Sequence, residues 1–209
     1  MSSAPQPRAR KAPEERREEI IREAAGIALG EGLERVTLRA VAHRLGVRPG
    51  LISHYFPVAD ELVIAAFVRA VGDEREELVT EGGDPLARIA RFVARVESPA
   101  AVDVSRLWLN ARHLSRFSPA LGAALLEQEA LDRARLRRLI ESGMADGTFH
   151  CEDAFDACIR IFVAVDGYGA YANNLGAFEH DAYTRFVTDA TAWALGLDRA
   201  ELRAAAGDR

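Results

Sequence analysis

The sequence predicts an all-α protein of about nine helices with short connections. Three observations point that way. Apolar residues recur at the helical period, three helix starts place a capping side chain before a proline, and no alternating run bounded by turns suggests a strand.

Residues 1–13 mix Pro, Ala, Ser, Arg and Lys without periodicity, the composition of a disordered basic arm. Residues 14–30 set Ile20, Ala24, Ile27 and Ala28 on one face of a helix that Gly30 and Gly32 end. Thr37 stands where an N-cap belongs, before Leu38, Val41, Ala42 and Leu45 at i, i+3, i+4 and i+7, and Gly46 stops that short helix. Another short helix runs from about Pro49 to Phe56. Asp84-Pro85, Ser98-Pro99 and Ser118-Pro119 each pair a cap with proline at the first helical position. They bound helical segments 59–82, 85–97, 99–116 and 119–145, with breaks at Gly82-Gly83 and Gly143…Gly147. Two long segments follow, 153–175 and 179–195, parted by Gly176, and the tail 198–209 either forms a short helix or frays. This order divides the chain into an arm (1–13), a first domain (14–58), a larger second domain (59–197) and a tail (198–209).

The net charge of −5 hides an uneven layout. Residues 1–58 carry ten Lys+Arg against seven Asp+Glu, a net of +3, and residues 59–209 carry seventeen against twenty-five, a net of −8. Arg35, Arg39, Arg44 and Arg48 fall in a stretch, 35–58, that has no acid at all. A small positive module on a negative body suits a protein that grips phosphate with one end only. The two cysteines, Cys151 and Cys158, fall two turns apart if they share a helix, roughly 10 Å along its axis, too far for a disulfide within that helix. No signal-peptide pattern or membrane-length apolar run occurs, so the expectation is a cytoplasmic protein without a membrane partner.

An enzyme needs a catalytic constellation. His43, His54, His113, His150 and His180 belong to no HExxH motif, and no GxSxG, GxxxxGK[ST] or strand-linked GxGxxG occurs. His150-Cys151-Glu152-Asp153 has no distant partner set for a metal, and an acid-rich helix N-terminus explains it more simply. Neither a catalytic role nor a cofactor or metal is expected.

Residues 37–56 read as a helix-turn-helix. Ala42 is small where two steeply crossed helices approach, Gly46 tolerates the turn four residues later, and Val41, Leu45, Val47, Ile52 and Tyr55 have the spacing to lock the angle. In that motif the second helix enters the major groove and its exposed N-terminal residues meet base edges. The alternative is a plain helical hairpin in an adaptor that binds protein partners and not DNA.

With VTLRAVAHRLGV, the terminal HYFP and the acidic helix start Asp60-Glu61-Leu62, the stretch from about Glu18 to Leu62 resembles the DNA-binding domain of the TetR family of bacterial regulators. Its ISHYF segment is more similar to the BetI-type subgroup. The resemblance implies a ligand-responsive regulator, most often a repressor released from its operator by a small organic molecule. It implies that Thr37 caps its helix and donates to a phosphate, and that Arg39 and Arg44 neutralise phosphates. Arg48, Pro49 and Gly50 would lead the reading helix, with Gly50 admitting the DNA backbone closely. Ser53 and His54 would face bases or phosphates, Tyr55 would bond a phosphate, and Phe56 would be core. Two positions depart from the family pattern: Ala59 stands where a phosphate-binding lysine is frequent, and Pro49 where a polar residue is.

Regulators of this architecture read two half-sites about one DNA turn apart, so a homodimer is expected. Segment 153–175 is apolar nearly all round, with Phe155, Cys158, Ile159, Phe162 and Val165 on one face. Tyr183, Phe186, Val187, Ala190 and Trp193 on segment 179–195 complete a candidate four-helix interface. The resemblance implies a small-molecule pocket between the middle helices, and polar or aromatic groups within apolar faces are its candidate lining: Trp108, Arg112, His113 and Phe117 on one segment, and Asp166, Tyr168 and Tyr171 on another. In such a pocket Asp166 favours a cationic or hydroxylated ligand and Arg112 an anion, or the two pair with each other.

Overall fold

The computed structural model describes residues 12–78, 83–174, 176 and 180–207. The arm read over 1–13, except Ala12 and Pro13, lies outside them, as do Gly82 and the last two residues of the tail. The described residues form eleven α-helices and no strand, two helices more than the spacing predicts. In order they are α1 (Pro13–Glu31), α2 (Leu38–Leu45), α3 (Pro49–Tyr55), α4 (Ala59–Leu78), α5 (Pro85–Val96) and α6 (Val102–Leu114). There follow α7 (Pro119–Ala145), α8 (Ala154–Ala172), α9 (Asp181–Thr184), α10 (Phe186–Leu195) and α11 (Arg199–Ala205). No single helix among the described residues is long and apolar enough to cross a membrane.

Local chemistry accounts for most of the boundaries. The side chains of Thr37, Asp84, Ser118, Asp153 and Asp198 each accept a hydrogen bond from a first-turn amide of the helix they precede. Ser98 does not: its hydroxyl turns back to donate to the Arg95 carbonyl at 2.7 Å. Pro99–Ala101 then form a 3₁₀ turn, and α6 starts only at Val102. Segment 179–195 is also two helices rather than one. Arg185 leaves helical geometry, and the Glu97 carboxylate on the end of α5 accepts from the Thr188 amide (2.9 Å) and hydroxyl (2.7 Å), giving α10 a cap of its own. Among the described residues of the tail, Arg199–Ala205 form α11, which buries Leu202 completely.

Two apolar cores organise the helices. The first joins Ile20, Ala24 and Ile27 of α1 to Val41 and Ala42 of α2, Ile52 of α3, and Leu62, Phe67 and Val71 of α4. It crosses residue 58 and is completed by Leu107 and Ala111 of α6 and Leu121 and Leu125 of α7. The second gathers α5, the far half of α7, α8, α10 and α11 around Val93, Ile140, Ile161 and Leu195. The 27 residues of α7, roughly 40 Å long, run through both.

On α8 the inward stripe is Ala154, Ala157, Cys158, Ile161 and Ala164. Cys158 therefore faces the core and not the side of Phe155, where the sequence spacing grouped it. Burial pushes its thiol up to about 11, the state of an unreactive packing group. The opposite side of α8 stays apolar and accessible: Phe155, Ile159 and Val163 are exposed beside Phe186 and Trp193 of α10. The Arg160 guanidinium lies over the Trp193 ring at 4.7 Å.

Candidate nucleic-acid interface and interhelical cavity

Helices α2 and α3 meet through buried Val41, Ala42 and Ile52. Thr37 Oγ1 accepts from the Ala40 amide at 3.0 Å and fixes the start of α2. Gly46 ends α2 at φ 64°, a left-handed conformation that disfavours a Cβ. The Val47 amide then donates to the Ala42 carbonyl at 3.0 Å, which closes the turn. Pro49 occupies the first position of α3, where no amide partner is needed.

This turn leaves one side of α3 uncovered. Arg48, Pro49, Gly50, Ser53 and His54 are exposed, while Ile52 and Phe56 face inward and Tyr55 is half-buried, its ring edge-on to His54 at 5.3 Å. Ser53 Oγ donates to the Pro49 carbonyl at 3.2 Å. A Cβ added at Gly50 would meet no atom outside its own helical backbone and chain neighbours within 4 Å, so internal packing does not require glycine there. On α2, Arg39 is exposed with no ion pair among the described residues, whereas Arg44 Nη2 is held at 2.5 Å by Glu31 of α1.

A cavity of about 280 Å³ opens between α4, α5, α6, α7 and α8. Phe92, Val96, Trp108, Phe162, Val165 and Tyr168 form apolar and aromatic parts of its wall. Charged side chains line it as well, and several of them pair across helices. Arg75 of α4 bonds Asp132 of α7 and donates to the Gln128 side chain at 2.9 Å. Arg112 of α6 lies 2.9 Å from Asp166 of α8 and 3.3 Å from Glu129 of α7, and its guanidinium reaches over the Trp108 ring at 5.8 Å. Arg133 also reaches Glu129, at 3.4 Å. Burial lifts the carboxyls of Glu74, Asp132 and Asp166 above the usual range, and the neighbouring guanidiniums only partly oppose it.

Of the pocket residues expected from sequence, Trp108, Arg112, Asp166 and Tyr168 line this cavity. Asp166 and Arg112 do pair with each other. His113 and Phe117 lie outside it, their rings edge-on at 5.6 Å, with Phe117 exposed. Phe117 lies beyond the end of α6 at Leu114, and on α6 itself the wall runs through Ser105, Trp108, Leu109 and Arg112 without His113. Tyr171 is exposed and lines a neighbouring cleft with Tyr183. Sequence reasoning missed Glu74, Arg75, Glu129 and Asp132. A signal existed for one: Glu74 continues the stripe of Phe67, Ala70 and Val71 at helical spacing.

Residues 20–66 match the family model described as bacterial regulatory proteins, tetR family. The chain is 30% identical over 176 residues to the HTH-type transcriptional regulator BetI of Brucella canis, covering 72% of this chain and 88% of that protein; the Brucella suis biovar 1 protein matches to the same extent. Among solved structures, a Saccharomonospora viridis protein in complex with choline superimposes with a TM-score of 0.70 at 20% identity, over 84% of this chain and 95% of that one. A TetR transcription regulator of Haloarcula marismortui gives a TM-score of 0.69 at 18% identity, over 88% and 97%.

Proposed function

The chain belongs to the TetR family of bacterial transcriptional regulators, and from that premise we propose that it is a cytoplasmic homodimeric repressor whose operator grip is released when an organic cation enters the cavity. DNA binding rests on α3. Its exposed face carries Arg48 at the N-terminus, a glycine that packing does not demand, and the polar groups of Ser53 and His54. Arg48 is the base-reading residue, since a guanidinium bonds guanine through two hydrogen bonds. Thr37, Arg39, Arg44 and Tyr55 contact phosphates, and Arg44 must first leave Glu31. Pro49 and Gly50 let the backbone approach the groove.

The accessible apolar face of α8 and α10 supports the homodimer, because exposed Phe155, Val163 and Trp193 favour burial against a second copy. The cavity supports an organic cation: the Trp108 ring stands beside the Asp166 and Glu129 carboxylates in its wall, and an aromatic face with carboxylates at its edge is what a positive, partly apolar ligand needs. The choline complex of a structural neighbour supplies a probe. By linkage, a ligand preferring the state in which the two α3 helices are misplaced lowers DNA affinity.

The test is a mobility shift on DNA flanking the chain's own gene, with and without choline. The parent shifts that DNA at low salt and loses it as choline rises, and Arg48→Ala dimerises but loses sequence selectivity. Selectivity unchanged in that variant sinks the reading-helix assignment, and no shift at any salt sinks the repressor.

A further inference from the structure

We propose that Arg112 is an internal occupant of the effector's own seat: in the ligand-free protein its guanidinium fills the place where the positive group of the effector will sit. This rests on the cavity being the effector site. Arg112 projects from α6 over the Trp108 indole and stands between Asp166 of α8 and Glu129 of α7. An aromatic face flanked by two carboxylates is a setting that recognises an organic cation. Here the chain supplies the cation itself.

The occupant is held loosely enough to leave. Its contact with Glu129 is long, at 3.3 Å, and the 5.8 Å to the Trp108 ring is at the outer edge of useful range. The side chains of Arg112 and Asp166 keep 35% and 48% of their accessibility, so the pair lies within reach of solvent and of an incoming ligand. Glu129 would not be abandoned, because Arg133 also reaches it. An effector therefore exchanges one cation for another, and no buried carboxylate is stranded. The consequence inverts the ordinary expectation for a pocket arginine: removing Arg112 strengthens cation binding.

Calorimetric titration of the protein tests this with two probes, choline and n-propylguanidinium. Arg112→Ala should bind choline about tenfold more tightly than the parent, the combined worth of a half-exposed ion pair and a surface cation–π contact. It should also bind n-propylguanidinium, which the parent does not, because that ion restores the missing side-chain tip. Arg112→Met keeps the stem and should behave alike, which guards against a folding defect in the shorter variant. Asp166→Asn should weaken choline in the parent background. Choline bound equally or less tightly by both Arg112 variants overturns the proposal while leaving the cavity reading intact. If choline binds no variant but n-propylguanidinium still binds only those lacking Arg112, the internal seat stands and the choline-like effector falls. Neither probe binding a folded Arg112 variant overturns it.

Discussion

Arg39 and Arg44 carry the same charge on the same short helix, and the structure gives them different work. Arg39 is exposed and unpaired among the described residues, while Arg44 is already neutralised by Glu31. Each guanidinium that neutralises a DNA phosphate releases counterion, and the salt dependence of binding steepens by about 0.9 per contact. In a two-fold dimer Arg39→Ala removes two contacts, so the plot of log affinity against log salt should flatten by about 1.8. Across a fourfold rise in salt, from about 50 to about 200 mM, that is about a twelvefold smaller loss of affinity than the parent suffers. Arg44→Ala should flatten the plot much less, because its guanidinium exchanges one anion for another. Glu31→Gln should free Arg44 and steepen the slope by up to about 1.8. Fluorescence anisotropy of a labelled duplex over a salt series reads all three. Equal slopes for Arg39→Ala and the parent, or an Arg44→Ala effect as large as that of Arg39→Ala, would refute the assignment.

Two glycines of α7 should respond to alanine with opposite sign. A Cβ at Gly143 falls 2.2 Å from the ring of buried Phe149, so Gly143→Ala should destabilise by about 1–3 kcal/mol despite its better helix propensity. At Gly122 the nearest atom is 3.7 Å away, and Gly122→Ala should be neutral or stabilising by up to about 1 kcal/mol; thermal melts that rank the two the other way would show the packing is misjudged. Choline affinity should fall as pH is lowered through the Asp166 carboxyl, which burial holds above the ordinary 3.8 beside Arg112 and Glu129. Protonation removes the negative charge the cation needs, so a titration series run from neutral pH down toward the ordinary carboxylate range should show the loss in the parent and a flatter profile in Asp166→Asn. Affinity that rises on acidification would point to an anionic ligand.

What was legible in the sequence was local. The cap at Thr37, the left-handed Gly46 and the proline start of α3 depend on residues within one turn of each other, and each appears as its spacing predicts. Ser98 failed because a capping residue and a proline fit a 3₁₀ turn as well as an α-helix, and nothing within three residues distinguishes them. The break before α10 depends on Glu97, 91 residues away from the Thr188 it binds. The same distance in sequence hid half of the cavity. Trp108 and Asp166 were visible as polar or aromatic interruptions of apolar faces. Arg75 and Asp132 sit in helices where charge is frequent, and only the fold reveals that they face each other.

The way α6 and α7 complete the first core bears on how such proteins can be recombined. Leu107, Ala111, Leu121 and Leu125 are as much a part of the reading head as Phe67 or Ile20. Arg106 of α6 also donates to the Leu29 carbonyl at the end of α1. The head is therefore not a cassette. A chimera joined at residue 58 would carry α1, α2 and α3 onto a foreign floor, with mismatched side chains beneath α1. Exchange of operator specificity between relatives must move α4 as well and must match the upper surface of α6. Because α6 contributes both to the cavity wall and to the first core, a substitution on that helix made for one is felt by the other.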